Sequence, residues 1–204
     1  MTEVCLSLAY LAPVEYFIAL AKAETLFLEN CEFYEKQSYR NRCNIAAANG
    51  KMALSIPVEK SAGDKILTRD VRISVHNDWQ IQHWRSIESA YNSTPFFEYY
   101  KDDLLPFYER KWIFLWDFNL EIQAKILELL DLHTKIRLTT EYKFHLENDV
   151  LDLRNSIHPK KENTIISKPY YQVFNQRFGF IPNLSIIDLL FNMGNESQLV
   201  VNSL

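Results

Sequence analysis

The opening of the chain constrains the fold more than any other segment. Val4 to Tyr10 reads as a strand. Pro13 suits the first position of a helix, and Val14 to Ala23 sets Phe17, Leu20 and Ala21 on one helical face. Thr25 to Leu28 is a short apolar run that reads as a second strand. Strand, proline-containing loop, helix and strand make a βαβ-like unit, which favours parallel pairing. Arg42 to Ala48 and Met52 to Val58 flank Asn49-Gly50, a hairpin signal because turn residues of that kind tolerate positive φ. Asp70 to Val75 alternates and predicts a further strand.

The middle of the chain is helical. Ile81, Trp84, Ile87 and Tyr91 form one apolar stripe, with Asp78 as N-cap. Thr94-Pro95 starts the next helix and Pro106 breaks it. Asp117 to Leu130 carries a broad apolar face. Beyond it, Lys135 to Thr140 predicts a strand, and His145 to Ile157 a weak helix. Leu184 to Met193 predicts an apolar segment ended by Gly194. Lys60 to Asp64 and His158 to Ser167 read as loops. The fold class is therefore α/β (or α+β). A mixed sheet with an N-terminal βαβ-like unit and a hairpin is followed by a largely helical second half. The 204 residues suit one domain, with 1–78 mainly β plus one helix, 79–130 helical and 131–204 mixed.

Composition excludes several function classes. Gly50, Gly63, Gly179 and Gly194 are the only four glycines, so no Gly-rich phosphate loop is present. A net charge of −4 argues against a nucleic-acid partner and against anionic membrane. The three cysteines, Cys5, Cys31 and Cys43, form no CxxC, and the five histidines are scattered, so no metal site is proposed. A reducing cytoplasm fits this cysteine usage. No basic leader is seen at the N-terminus, and no apolar run is long enough to span a membrane.

Three stretches could carry chemistry. Lys36 to Arg42 holds three cations and no acid, with Arg40 and Arg42 two positions apart on the approach to a strand, where both could grip one phosphate. Asn41 adds neutral donors and an acceptor. The ordinary alternative is a solvated basic turn. On the helix after Asp78, Gln80, Trp84, Ile87 and Tyr91 share a face and His83 lies on its flank, where a histidine can serve as a general base. A packed or surface histidine is the ordinary alternative. Lys168 and Tyr170, in Lys168-Pro169-Tyr170-Tyr171-Gln172-Val173-Phe174, could line a pocket, although core packing explains the aromatics equally well.

Together these stretches resemble the WbqC-like family of bacterial proteins. The resemblance rests on Tyr10 to Phe17, Lys36 to Arg42, Leu54 to Val58, Trp79 with His83-Trp84 and Ile87, and Tyr91 to Phe97. Lys168 to Phe174 and Phe178 to Asn192 resemble the branch typical of Bacteroidetes. Many members carry Gln-Pro where this chain has Ser7-Leu8, a second proline near Ala12, and a small residue near Glu15. The resemblance implies a cytoplasmic bacterial protein with relatives in gene clusters for O-antigen and other surface polysaccharides. The opening unit also resembles, loosely, nucleotidyltransferase-type α/β folds, whose substrates bind above the strand ends. The histidine pair of those enzymes is not present between Tyr10 and Phe17.

The reading that follows is an enzyme acting on a nucleotide-activated sugar as a group transferase. Arg40 and Arg42 would hold phosphate, Tyr91 or Trp84 would stack on a ring, and His83 would be the base. Arg40, Arg42, His83 and Tyr91 are then expected to line one pocket. The alternative is a non-catalytic ligand-binding or scaffold protein of the same pathway, and a nucleic-acid binder using Lys36 to Arg42 is the third reading. The cofactor is left open. A homodimer is an assembly open to such a chain.

Overall fold

Strands β1 (Glu3–Ser7) and β2 (Thr25–Glu29) pair in parallel through helix α1 (Val14–Lys22), the crossover expected from the sequence. The computed structural model describes residues 3–59, 65–75, 78–147 and 149–203, so the loop expected over Lys60 to Asp64 lies outside the described residues. Strands β3 (Arg42–Ala47) and β4 (Gly50–Ser55) form the antiparallel hairpin. Ala47 pairs with Gly50, and Gly50 alone in this turn takes positive φ, at 103°. The turn therefore needs left-handed backbone at one position, not two.

Helices α2 (Trp79–Tyr91), α3 (Phe97–Leu104), α4 (Pro106–Glu109) and α5 (Leu115–Leu129) follow. Asp78 precedes α2 but makes no side-chain cap, and Thr94 turns its hydroxyl back to the Tyr91 carbonyl, leaving Phe96 to precede α3. Strands β5 (Lys135–Leu138) and β6 (Val150–Asp152) come next, then α6 (Asn175–Phe178), α7 (Ile186–Met193) and α8 (Ser197–Val201). Gly194 ends α7 with φ 56°.

Two further expectations need correction. Asp70 to Val75 is no strand. It follows a 3₁₀ turn at Thr68–Asp70 and makes isolated bridges, Arg72 to Phe114 and Ile73 to Val58. Its backbone bonds go to two different loops, through Ile73 to Ile113 and Ser74 to Pro57, so no ladder builds up. Among the described residues of His145 to Ile157, the regular element is the three-residue β6, which gains its stability from pairing with β1.

The main sheet runs β5-β2-β1-β6, with every pairing parallel. Val4, Leu6 and Leu26 turn into the core with Val14, Phe17 and Ile18 of α1. Cys5 and Phe27 belong to the opposite face, because adjacent strand residues point to opposite sides. From β1 the chain passes to β2 on one side, whereas β6 returns on the other. The β1–β6 gap is therefore a topological switch point, the place where open α/β sheets bind ligands outside the strand ends.

Candidate functional site

The strand ends at this switch point carry Ser7, Glu29 and Asp152. Just past β6, Arg154 is fully buried and donates to Glu29 Oε2 at 2.8 Å, to Asp152 at 2.7 and 2.9 Å, and to the Lys143 carbonyl at 2.8 Å. The Tyr142 ring packs over the guanidinium. Burial disfavours the Asp152 anion, but the Arg154 hydrogen bonds outweigh it and hold the carboxyl below its usual range. Thr139 donates to Glu29 Oε1 at 2.7 Å, which satisfies the other oxygen of that buried carboxylate.

Arg40 lies on the other side of Ser7. Its Nε and Nη2 clasp Glu32 at 2.7 and 2.6 Å, and Nη2 also donates to Ser7 Oγ at 2.9 Å. Burial alone would lower its pKa, and the buried Glu32 carboxylate raises it instead. Ser7 Oγ lies 2.7 Å from Glu32 and 3.2 Å from the Arg154 backbone carbonyl, so its one hydroxyl proton sits between the two arginine segments, closer to Glu32. The crevice between Ser7, Tyr39, Arg40 and Arg154 is only about 10 Å³, room for roughly one water.

A larger cavity of about 240 Å³ opens on the sheet face that carries Cys5 and Phe27. Phe27 and Val150 give it an apolar lining, and Thr139, Glu141, Lys143 and Glu147 a polar one. Thr139 and Lys143 belong to both this cavity and the Arg154 network. A hydroxyl-rich ring has acceptors, one cation and an aromatic surface within reach there.

The structure distributes the sequence-derived site residues over several places. Lys36 is exposed, on the turn that leads to Arg40. Asn41 donates to the Ile56 carbonyl at 2.8 Å and pins the hairpin base. Arg42 donates to Ser55 Oγ at 3.0 Å, so the two arginines share no hydrogen-bond partner among the described residues. Arg40 sits in a turn before β3, and the two-residue strand rule does not apply to it.

His83 is buried, not on a cavity rim. Its Nδ1 lies 2.9 Å from the Tyr10 hydroxyl, which lies 2.9 Å from that of Tyr108. Burial pushes the imidazole down to about 4. The buried face of α2 runs through Trp79, His83, Ile87 and Tyr91, and Ile81 is half exposed. The Trp79–His83 edge contact, with ring centroids 5.1 Å apart, takes the place that the apolar stripe assigned to Ile81. Trp84 is half-buried against Phe97 and Tyr108, and Gln80 donates to the Phe107 and Arg110 carbonyls.

Tyr91 and Tyr170 meet at a third place, the buried carboxylate of Asp188. Tyr91 donates to Oδ1 at 2.9 Å, while Tyr170 and Gln172 donate to Oδ2 at 2.7 and 3.0 Å. Burial pushes Asp188 up to about 6 despite these three donors. Lys168 is exposed nearby in sequence. Glu15 accepts from the Thr164 and Ile165 amides and from Asn183, and ties α1 to the C-terminal segment.

Arg154, Glu29, Glu32 and the 240 Å³ cavity escape the sequence reading. The available signal was the pair of acids, Glu29 and Glu32, just ahead of the basic turn. Among the described residues, no group of three or more His, Cys, Asp or Glu side chains is placed to hold a metal ion, and no helix is long and apolar enough to cross a membrane.

The uncharacterized protein Rv1507c of Mycobacterium tuberculosis is 24% identical over 208 residues, covering 89% of each chain. No solved structure matches. The model of the WbqC-like protein family matches residues 9–162, which include the α1 crossover, the basic turn, the hairpin and Arg154. The chain therefore belongs to the WbqC-like protein family.

Proposed function

We propose that the protein binds a nucleotide-activated sugar on the open face of its parallel sheet, with the phosphates toward the carboxyl edge, and serves as a group transferase of bacterial surface-polysaccharide biosynthesis. The observation that carries this reading is the joining of the topological switch point to the 240 Å³ cavity through Thr139 and Lys143. In this reading the sugar ring lies on Phe27, with its hydroxyls on Thr139, Glu141 and Glu147. The phosphates lie toward Arg40 and Lys36. Asn41, Arg42, His83, Trp84, Tyr91 and Tyr170 shape the scaffold by the contacts described above. The test is a thermal-shift panel of nucleotide sugars, nucleoside diphosphates and free sugars, since a ligand of the folded state raises the Tm. A nucleotide sugar should protect more than its nucleoside diphosphate, and Glu147→Gln should erase that difference. Equal protection by both would remove the sugar from the cavity.

One observation favours the non-catalytic alternative. His83, the sequence candidate for the base, is enclosed by Tyr10 and Trp79 and lies outside the 240 Å³ cavity. Turnover assays on any nucleotide sugar that protects the fold separate the two readings. Protection without turnover supports a binding or scaffold protein.

A further inference from the structure

Glu35 stands apart from the other carboxylates of this region. It is half exposed, its Oε2 is 3.3 Å from Arg40 Nη1, and its Oε1 is 3.7 Å from His158 Nε2. Glu32 takes the short, buried bonds of the same guanidinium. Nη1 is thus the corner of Arg40 committed neither to Glu32 nor to Ser7. Two lysines follow His158 in the chain. Lys160 donates its backbone N–H to His158 Nδ1 at 3.2 Å and its Nζ to Gln37 Oε1 at 2.6 Å. Lys161 Nζ donates to the Asn155 carbonyl at 2.7 Å. Both ammonium groups are held by neutral oxygens. Burial, helped by Lys161, Arg40 and Lys160 and opposed by Glu35, lowers the pKa of His158. Lys36 adjoins Glu35 in the chain, and Gln37 holds the turn with φ at 61°.

Arg40 and His158 therefore flank one weakly held, half-exposed carboxylate, and the two lysines that follow His158 are bound only to neutral oxygens. We infer that the Glu35 carboxylate is an internal stand-in for a ligand phosphate, and that a diphosphate group displaces it from Arg40 and His158. A phosphate brings more oxygens and more charge than a carboxylate, and the exposed bridge it replaces is weak. Arg40 keeps its fork on Glu32 throughout, so the exchange leaves the buried network intact. This inference rests on the proposed reading and adds to it a built-in competitor for the phosphate seat.

Calorimetric titration tests it with inorganic pyrophosphate, a nucleoside diphosphate and a nucleotide sugar, on the wild type, Glu35→Gln and Lys160→Ala. Glu35→Gln should bind pyrophosphate more tightly by roughly fivefold, the equivalent of about 1 kcal/mol. Lys160→Ala should bind it more weakly, and added salt should weaken both. Unchanged or weaker pyrophosphate binding by Glu35→Gln overturns the stand-in, even if nucleotide sugars still bind. Tighter pyrophosphate binding with no gain from the nucleoside or sugar supports the stand-in and overturns the nucleotide-sugar reading. Binding of none of the three probes to any of the proteins overturns both.

Discussion

Tyr91 and Asp188 lie 97 positions apart in the chain and meet through a 2.9 Å hydrogen bond from phenol to carboxylate. Tyr170 and Gln172 complete the acceptor's surroundings, and the Tyr91 oxygen also accepts the Ala46 amide at 3.2 Å. One carboxylate thereby joins α7, α2, the hairpin and the C-terminal segment. Asp188→Ala would leave three buried donors without an acceptor and is expected to cost about 3 kcal/mol or more. Asp188→Asn keeps one acceptor oxygen and should cost about 1 kcal/mol. Urea unfolding of the two variants measures both values. An alanine variant as stable as the asparagine variant would show that the carboxylate is not the joint described here.

The pH dependence of stability should show two opposed contributions. Asp188 is pushed up to about 6 by burial, so the native state holds its proton more tightly than the unfolded chain. Its contribution is fully present below the unfolded value near 3.8 and is lost as pH rises through about 6. His83 is pushed down to about 4, also by burial, so the native state resists protonating it. Its contribution is present above the unfolded value of 6.5 and is lost as pH falls through about 4. The windows overlap and the signs oppose, so these two groups leave the wild-type profile flat between about pH 4 and pH 6. Asp188→Asn should make the protein acid-labile across that window, and His83→Gln should make it more stable on acidification. Profiles of the same slope in both variants would contradict the opposition.

Arg154 gives a test of the buried ion pairs. Its side chain and that of Glu29 are 1% and 0% exposed. Arg154→Met leaves Glu29 charged, buried and short of its cation, with an expected loss of about 3–5 kcal/mol. Adding Glu29→Gln should recover part of that loss, because the stranded charge is then gone. A double variant less stable than the single one would mean that Arg154 acts through packing under Tyr142 instead.

Much of this scaffold is legible in the residues, and the missing parts share a physical cause. The βαβ opening, the hairpin and α2 follow from patterns within a dozen or so neighbours: Pro13 before an apolar helix, Asn49-Gly50 between strands, and the Ile87 and Tyr91 spacing. Strand β6 does not, because three residues carry no period and its partner β1 lies at the other end of the chain. The basic turn was legible as a cluster of cations. Its pairing was not, since Glu32 reaches Arg40 only once the β2–β3 connection folds back on Ser7. The helical wheel sets Gln80, Trp84, Ile87 and Tyr91 on one face and His83 on its flank. Tyr10, 73 positions away, offers the imidazole a hydrogen bond inside, and that contact settles the rotation of α2.

Gly194 and Gly179 allow backbone and packing costs to be separated. Both have positive φ, 56° and 68°, with ψ of −131° and −171°, a region that side chains other than glycine's enter only under strain. A Cβ added at Gly179 meets nothing within 4 Å, whereas at Gly194 it would lie 2.6 Å from two ring carbons of Phe96. Gly179→Ala should therefore cost the backbone term alone, about 1–3 kcal/mol. Gly194→Ala should cost that and a further 1–3 kcal/mol, roughly, for displacing the ring that packs beside α7. Pairing Gly194→Ala with Phe96→Leu removes the ring and should narrow the gap to Gly179→Ala. Thermal unfolding of the three variants reads the order directly, and equal losses for the two single alanines would show that Phe96 moves aside without cost.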